Sequence, residues 1–233
     1  MGGLIEWFAD PANWTGGGGV PARVAEHVLL SAAAMVIAGA IALPVAVWLG
    51  HIGKGGTLAI NIGNVGRAIP TYAVLVLLTI GPLGRGVPTT VVALVLFALP
   101  PLLTNAYVGM REVDPDVRDS ARGMGMSGAQ LARGVEIPLA VPMIMNGVRL
   151  AAVQVVATAT IAGLVGGPGL GRIITSGFAN RNQPQVLAGA ILVALIALVV
   201  EVVLAWAQQR TDPRRRSTAA AASAPAERRA SVV

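Results

Sequence analysis

Residues 111–138 read REVDPDVRDSARGMGMSGAQLARGVEIP, and this polar stretch decides how the chain is organised. Long hydrophobic runs flank it on both sides. Its charged side chains are Arg111, Glu112, Asp114, Asp116, Arg118, Asp119, Arg122, Arg133 and Glu136. Because a charge at the centre of a bilayer costs roughly 2.5–3.5 kcal/mol or more, we expect the stretch to lie outside the membrane.

The inner part of the stretch, residues 116–131, has the composition of a short helix. Asp114 followed by Pro115 is a start signal, because Asp accepts hydrogen bonds from free N–H groups and Pro suits the first helical turn. Pro138 is predicted to end the segment. The sequence therefore predicts a surface helix between two membrane helices.

The composition indicates a membrane protein with one membrane domain, since 55% of the 233 residues are hydrophobic and 12% are charged. Cysteine is absent, which excludes disulfides and thiolate metal sites. No cluster of His, Asp and Glu suggests a metal site either. The net charge of +6 is attributed to the positive-inside effect rather than to nucleic-acid binding.

The predicted fold is all-α and integral to the membrane, with about five transmembrane helices and the polar helix between the third and the fourth. Each hydrophobic run is near the roughly 20 residues that a spanning helix needs. The runs cover residues 28–49, 58–81, 87–110, 142–166 and 186–209. Pro100-Pro101 is expected to break the third span, and a sixth, short re-entrant helix near residues 167–177 stays an alternative.

The chain divides into three predicted regions. Residues 1–22, which are rich in Gly and Trp, are expected to lie at the outer interface, residues 23–209 to form the membrane domain, and residues 210–233 to be a disordered basic tail. His27 and His51 bracket the first span and are interpreted as interfacial polar residues.

Basic residues are divided unevenly between the two ends of these spans, which sets the orientation. The end that carries the polar stretch holds Lys54, Arg111, Arg118, Arg122, Arg133, Arg210, Arg214, Arg215, Arg216, Arg228 and Arg229. The other end holds Arg23, Arg85, Arg172 and Arg181. The bias predicts the N-terminus outside and the C-terminus inside the cell.

A spaced motif runs through the polar stretch. Asp119-Ser120-Ala121 is followed after three residues by Gly125, and after nine more by Val135-Glu136-Ile137-Pro138. This pattern resembles the cytoplasmic loop of the membrane subunits of binding-protein-dependent ABC importers, where the motif is Glu-Ala-Ala, three residues, Gly, nine residues and Ile-x-Leu-Pro. Residues 121–142 resemble the branch that imports glycine betaine, choline, carnitine and proline betaine.

The resemblance implies a type I importer permease with a coupling helix and no cofactor of its own. It implies two ATPase subunits, a second permease chain (identical or similar), an extracytoplasmic substrate-binding protein and surrounding lipid in the inner membrane. The residues that would form the ATPase-coupling loop are Asp119, Ser120, Ala121, Arg122, Gly123, Gly125, Glu136 and Pro138.

A second set of residues is predicted to line the pathway or its gate. Glycine-rich segments of similar position lie near the outer gate in this family. The candidates are Pro70, Asn146, Arg149, Gly166, Gly167, Gly169 and Gly171. Arg149 and Glu201 are also predicted to pair, because an ion pair would relieve two costly charges inside the membrane.

No catalytic set emerges from the sequence. The phosphate-binding pattern G-x-x-x-x-G-K-[ST] is absent, so ATP hydrolysis is assigned to a partner subunit. Gly123-x-Gly125-x-x-Gly128 matches a dinucleotide fingerprint, but it lies in a charged loop without the βαβ unit that the fingerprint needs, and is interpreted as chance.

Three other functions stay open at this point. A permease for methionine or another amino acid would share the coupling loop. A secondary transporter would need ligands for a coupling ion within its spans, and would be indifferent to damage in the loop. A structural membrane subunit without a transport role would tolerate changes at Gly125 and Gly169 alike.

Overall fold

The computed structural model describes residues 2–57, 61, 65–66 and 68–211, and its elements are helices joined by turns. In chain order they are α1 (Gly2–Ala9), α2 (Val20–Ile52), α3 (Thr71–Ile80), α4 (Val87–Arg111), α5 (Pro115–Gly123), α6 (Gly128–Leu131), α7 (Ile137–Ala159), α8 (Gly171–Ala179) and α9 (Gln183–Thr211). Short 3₁₀ turns cover Pro11–Trp14 and Ile161–Val165, and a π-helical segment covers Ala132–Glu136.

Within these described ranges, four helices are long and apolar enough to cross a membrane. They are Val20–Ile52, Val87–Arg111, Gly128–Val165 and Gln183–Arg210. Part of the predicted span over residues 58–81 lies outside the described residues, namely 58–60, 62–64 and 67. The described part includes α3, a helix of 10 residues, which is by itself shorter than a bilayer requires. The structure therefore supports an all-α membrane fold with four long helices.

Helices α2, α4 and α7 form the core of the molecule. The buried face of α2 presents alanine at every fourth residue: Ala34, Ala38, Ala42 and Ala46. Such small side chains let the neighbouring backbones approach closely, which is how helices associate in a membrane. Larger apolar residues of α4, with Ala151, Val155 and Ala159 of α7, fill the remaining space. Helix α9 packs outside this core, against α7 and α8.

Helices α2 and α4 run in the same direction. At one end, Gly50 of α2 lies so close to Met110 of α4 that an added Cβ would be 2.4 Å from the Met110 Cβ. At the other end, His27 of α2 and Thr90 of α4 both contact residues 167–169. The chain between the two helices must therefore return across the molecule, and α3 lies on that return.

Several predicted boundaries differ from the observed ones. Helix α2 begins at Val20, inside the segment predicted to be interfacial. Helix α4 continues through Pro100 and Pro101 without the predicted break. A short helix does occupy the place of the alternative re-entrant segment, as α8. The predicted tail, apart from its first residues, lies outside the described part of the chain.

Candidate functional site

The start of α5 is capped as the sequence predicts. The Asp114 Oδ1 accepts a hydrogen bond from the Asp116 N–H at 2.8 Å, and Pro115 occupies the first turn. Asp116 adds a negative charge beside the free N–H groups, which the helix dipole favours. These three residues fix where α5 leaves the membrane helix α4.

The end of α5 is a Schellman motif centred on Gly125. The Met126 N–H donates to the Ala121 carbonyl at 3.3 Å, and the Gly125 N–H donates to the Arg122 carbonyl at 2.9 Å. Gly125 has a φ of +86°, in the left-handed region that glycine adopts without steric cost. The glycine of the spaced motif therefore terminates the helix.

A new helix, α6, begins immediately after this turn. Ser127 and Gln130 form a capping box, in which the Ser127 N–H donates to the Gln130 Oε1 at 2.8 Å and the Gln130 N–H donates to the Ser127 Oγ at 3.4 Å. The single helix predicted over residues 116–131 is thus two helices, because Gly125 stops the first and Ser127 starts the second.

Pro138 does not end the polar segment as predicted. The chain continues from α6 through the π-helical segment into α7, and Pro138 lies in the first turn of α7. The Ile137 N–H donates to the Ala132 carbonyl, five residues earlier. Since Pro138 has no N–H to continue the regular ladder, the backbone accommodates it in this wider turn.

The structure divides the predicted coupling residues into an exposed and a buried set. The exposed set is Asp119, Ser120, Arg122, Gly123, Gly125 and Pro138. Asp119 and Arg122 form an exposed ion pair at 3.3 Å, and Met124 beside them is 75% exposed. Ala121 and Glu136 are buried, so they face the interior of the chain rather than a partner. The exposed members of α5 and the following turn lie next to one another on the surface of the chain.

Glu136 lies at the centre of a buried ionic cluster. Its Oε2 is 2.5 Å from the His51 Nδ1, and its Oε1 is 3.2 Å from the Arg118 Nε, an ionic contact without hydrogen-bond alignment. The Arg118 Nη2 also donates to the Met110 carbonyl. Since an ionised carboxylate only accepts hydrogen bonds, the His51 Nδ1 is the donor. His51 is therefore part of an ionic cluster and not an isolated interfacial residue.

Arg149 and Glu201 lie together between α7 and α9. The Arg149 Nη2 is 2.7 Å from the Glu201 Oε1, which is the pairing that the sequence suggested. The Arg149 Nη1 also donates to the Gln208 Oε1 at 3.0 Å, and the Gln208 Nε2 donates to the Pro142 carbonyl at 3.2 Å. A network of polar contacts thus joins the two helices at this end.

The glycine-rich loop at residues 166–171 packs on the start of α2. Gly169 has a φ of +102°, and its N–H donates to the Glu26 Oε2 at 2.8 Å. The same carboxylate oxygen is 2.7 Å from the Arg23 Nη1. His27, which was interpreted as interfacial, is fully buried, and its Nε2 lies 3.0 Å from the Val156 carbonyl.

The predicted gate residues do not form one site. Pro70 lies before the first turn of α3, whereas Gly166 shares a cavity with Ile80 at the other end of that helix. Asn146 donates to the Asn105 Oδ1 at 3.1 Å and, with Arg149, belongs to the half of α7 near the polar segment. The candidates are spread over three places along the molecule.

Sequence reasoning missed Arg118, His51 and Glu26 as interacting residues. Arg118 had a usable signal, because it lies three residues before the buried Ala121 and so shares its face of α5. The contact of Glu26 with Arg23, three residues earlier, also had a local signal. The contacts of His51 with Glu136 and of Glu26 with Gly169 had none, since these partners lie 85 and 143 residues away in the chain. Among the described residues, no group of His, Cys, Asp and Glu suits a metal ion.

Comparison with known proteins decides the family. Residues 40–217, more than half of the chain, match the family described as the binding-protein-dependent transport system inner membrane component. The chain belongs to this family. As such an inner membrane component it is the permease subunit of an ABC importer and not a catalytic chain, which also fits the prediction that it carries no cofactor. A system of this kind implies ATPase subunits and a substrate-binding protein.

Curated relatives of this inner membrane component agree with the predicted branch. The choline transport system permease protein OpuBB of Bacillus subtilis is 36% identical over 85% of this chain and 91% of its own length. The glycine betaine/carnitine/choline transport system permease protein OpuCB of the same species is 35% identical over 86% and 92%. The carnitine transport permease protein OpuCB of Listeria monocytogenes is 38% identical over 81% and 86%. The predicted resemblance to the osmoprotectant branch is confirmed.

Solved structures with the same fold include inward-facing conformations of the MetNI methionine ABC transporter. One of its chains superposes with a TM-score of 0.71 at 21% sequence identity, over 80% of this inner membrane component and 93% of that chain. Identity at this level bears on the fold alone. The predicted all-α permease architecture is confirmed at the level of its four long helices.

Proposed function

We propose that this permease takes up osmoprotectants of the glycine betaine, carnitine and choline type, driven by ATP hydrolysis in a partner subunit. The observation that carries the proposal is the similarity to three permeases named for these substrates, at 35%, 36% and 38% identity over at least 81% of the chain. The likeness to a methionine transporter concerns the fold, so it does not favour an amino acid as substrate.

The scattered aromatic residues favour a weak and transient pathway through this subunit. A quaternary ammonium group is held best by aromatic rings that surround it. The rings that contact one another among the described residues are Trp7, Phe8 and Trp14, with centroid distances of 5.3 and 6.4 Å, and they lie in the N-terminal segment. High-affinity recognition is therefore assigned to the extracytoplasmic binding protein.

Five passages across the membrane fit the helix directions better than four. Because α2 and α4 run in the same direction, residues 53–86 must cross back between them, and α3 supplies part of that crossing. The N-terminus is then outside and the C-terminus inside, with Arg111, Arg118 and Arg122 near the inner surface as the positive-inside effect favours. On this proposal residues 1–22 lie at the outer surface, residues 23–209 form the permease domain and residues 210–233 are an inner tail.

The exposed surface of α5 and the turn after it is proposed to contact the ATPase. It joins charged groups, Asp119 and Arg122, to an exposed apolar side chain, Met124, and its backbone is fixed by caps at both ends. Two ATPase subunits would engage two permease chains in this way. The apolar outer face of α9 is assigned to membrane lipid and to the second permease chain.

The loop of residues 166–171 is proposed to form part of the outer gate. Its contacts with Glu26 and His27 attach it to the beginning of α2, so a movement of that helix would move the loop. Asn146 and Arg149 are proposed to line the inner half of the pathway, and Pro70 to lie beside it.

Uptake of labelled glycine betaine tests this function. The host lacks its own betaine importers and expresses the permease with its native ATPase and binding protein. We expect uptake at high osmolarity that requires ATP and is inhibited by unlabelled choline or carnitine but not by methionine. Inhibition by methionine alone would move the assignment to an amino acid. Uptake that persists without a functional ATPase would favour a secondary transporter.

A further inference from the structure

A buried ionic cluster joins the polar segment to the membrane helices. We call His51, Arg118 and Glu136 the inner ionic cluster. Glu136 is completely buried and Arg118 nearly so, with 8% of its surface exposed, whereas the side chain of His51 is 25% exposed. Glu136 contacts both Arg118 of α5 and His51 of α2, so the cluster connects the inward face of α5 with α2.

Each member of the cluster belongs to a different element. His51 is near the end of α2, Arg118 is in the middle of α5, and Glu136 is the last residue of the π-helical segment that leads into α7. Arg118 reaches a fourth element, because its Nη2 donates to the Met110 carbonyl in the last turn of α4. One arginine side chain therefore attaches α5 to α4 and, through Glu136, to α2 and α7.

The short helix α6 rests against the same cluster. Gly128, its first residue, is so close to the imidazole that an added Cβ would lie 3.3 Å from the His51 Nε2. The Nδ1 of the same ring contacts Glu136. One ring nitrogen of His51 thus contacts Glu136 and the other lies close to Gly128, so α6 cannot shift toward α2 without moving the ring.

Burial makes these contacts costly to break. A carboxylate removed from water is costly unless it keeps charged or hydrogen-bonding partners. If α5 moved away and took Arg118 with it, Glu136 would keep the His51 contact alone. The favoured response is for Glu136, and with it the start of α7, to follow Arg118.

The π-helical segment is the place where the backbone can adjust while the start of α7 follows this movement. Its hydrogen bonds span five residues instead of four, as in the bond from the Ile137 N–H to the Ala132 carbonyl. Segments of this type occur often at functional sites. Pro138, which follows it, cannot donate a hydrogen bond that would lock the turn.

We propose that the inner ionic cluster is the linkage through which movement of α5 reaches α2, α4 and α7 together. Glu136 and Arg118 are positioning residues that act through the helices and do not touch substrate or nucleotide. The inference rests on the proposed function, because it takes the outer surface of α5 as the ATPase contact. The inner surface of the same helix then transmits the movement of α5 to α2, α4 and α7.

The test measures coupling in the full complex. Permease, ATPase and binding protein are reconstituted in proteoliposomes, and glycine betaine uptake and ATP hydrolysis are measured on the same preparation. We expect Glu136→Gln to assemble with the ATPase and to hydrolyse ATP, while uptake per ATP falls at least about ten-fold, since coupling between sites commonly corresponds to factors of about 5–150. Glu112→Gln removes a carboxylate that is exposed at the same end and should keep the wild-type ratio.

A second variant covers the case in which Glu136→Gln fails to fold. In Arg118→Met/Glu136→Leu both charges are replaced by apolar side chains, a change that buried ion pairs often tolerate without loss of stability. We expect this double variant to assemble and to show the same low uptake per ATP. His51→Asn, which keeps a donor near the Nδ1 position, should retain more coupling than His51→Leu.

The outcomes separate the linkage from the proposed function. Wild-type uptake per ATP in assembled Glu136→Gln and in the double variant would overturn the linkage. Failure of both to assemble, while Glu112→Gln assembles, would also overturn it, because the cluster would then serve folding alone. Absence of betaine uptake by the wild-type complex would instead contradict the proposed substrate. The cluster variants would then be compared with the wild type by the ATP hydrolysis that the substrate-loaded binding protein stimulates.

Discussion

Gly125 illustrates how a single residue sets the shape of the proposed ATPase contact. At a φ of +86°, it lets the chain reverse after α5 so that Ser127 can start α6. An L residue in this conformation brings its Cβ close to the carbonyl oxygen, at a cost of roughly 1–2 kcal/mol. The space around the position is open, so the requirement for glycine comes from the backbone and not from crowding.

We therefore expect Gly125→Val to distort the turn while leaving the membrane helices folded. Uptake of betaine should fall by roughly 5- to 30-fold, because the strain of roughly 1–2 kcal/mol either shifts the turn or weakens the docked state. The matched control is Gly134→Ala, since Gly134 is exposed, has open space around it and is absent from the positive-φ positions. Co-purification of the ATPase and uptake are measured for both, and equal uptake would contradict the role assigned to the turn.

For single residues, the sequence predicts contacts between near neighbours in the chain well and contacts between distant residues poorly. The cap by Asp114 was predictable because its partner, the Asp116 N–H, lies two residues away. Glu136 was predicted among the partner-facing residues, yet it is buried against His51, which lies 85 residues earlier. Spacing along one helix cannot reveal that a second helix supplies the counter-charge.

Between elements, the contact of α7 with α9 depends on polar groups within apolar helices. Arg149 and Glu201 pair at 2.7 Å, and each side chain keeps 35% of its surface exposed in the single chain. The same Arg149 also binds Gln208, about two turns nearer the end of α9. Because α9 presents mostly apolar, weakly buried residues elsewhere, these contacts define its rotation about its own axis.

Removing one charge of this pair should destabilise the permease more than reversing both. An unpaired charge inside a membrane costs roughly 2.5–3.5 kcal/mol, so Arg149→Gln and Glu201→Gln should each lower the melting temperature of the purified complex. The reversed pair, Arg149→Glu/Glu201→Arg, should recover part of that loss. Thermal unfolding of the wild type, the two single variants and Arg149→Gln/Glu201→Gln forms a double-mutant cycle; additive effects would mean that the pair makes no energetic contribution.

Element boundaries were predictable where a strong local signal ended a helix. The sequence places the third span over residues 87–110, and α4 covers Val87–Arg111. The helix predicted over residues 116–131 is interrupted because two signals, a glycine and a capping box, outweigh its helical composition. Pro100 and Pro101 do not break α4, since neighbouring membrane helices can compensate for lost hydrogen bonds.

The whole molecule is asymmetric from end to end. One end holds the inner ionic cluster and the exposed surface of α5, while the other holds the loop of residues 166–171 against Glu26. The core helices α2, α4 and α7 connect these ends directly. The fold class and the position of the polar segment could be predicted from hydrophobic runs, but the parallel course of α2 and α4 could not, because it depends on packing.

The absence of native cysteine allows the orientation to be measured with single cysteines. Ile5, which is 70% exposed, and Met124, which is 75% exposed, are replaced separately by cysteine. In intact cells a membrane-impermeant maleimide should label Ile5→Cys, and it should label Met124→Cys only after the membrane is permeabilised. The cysteine-free parent is the control for background. Labelling in the opposite order would reverse the proposed orientation.

The π-helical segment Ala132–Glu136 has one further consequence, which concerns insertions and deletions. A segment of this kind holds one residue more than a regular helix of the same rise, and one residue corresponds to about 100° of rotation. Deleting Gly134 would remove this surplus residue, so the turn could become regular while the chain before it keeps its orientation to α7. Deleting one residue from the regular part of α7 would instead turn the chain before it by about 100°, so that the permease would present a different surface to its ATPase.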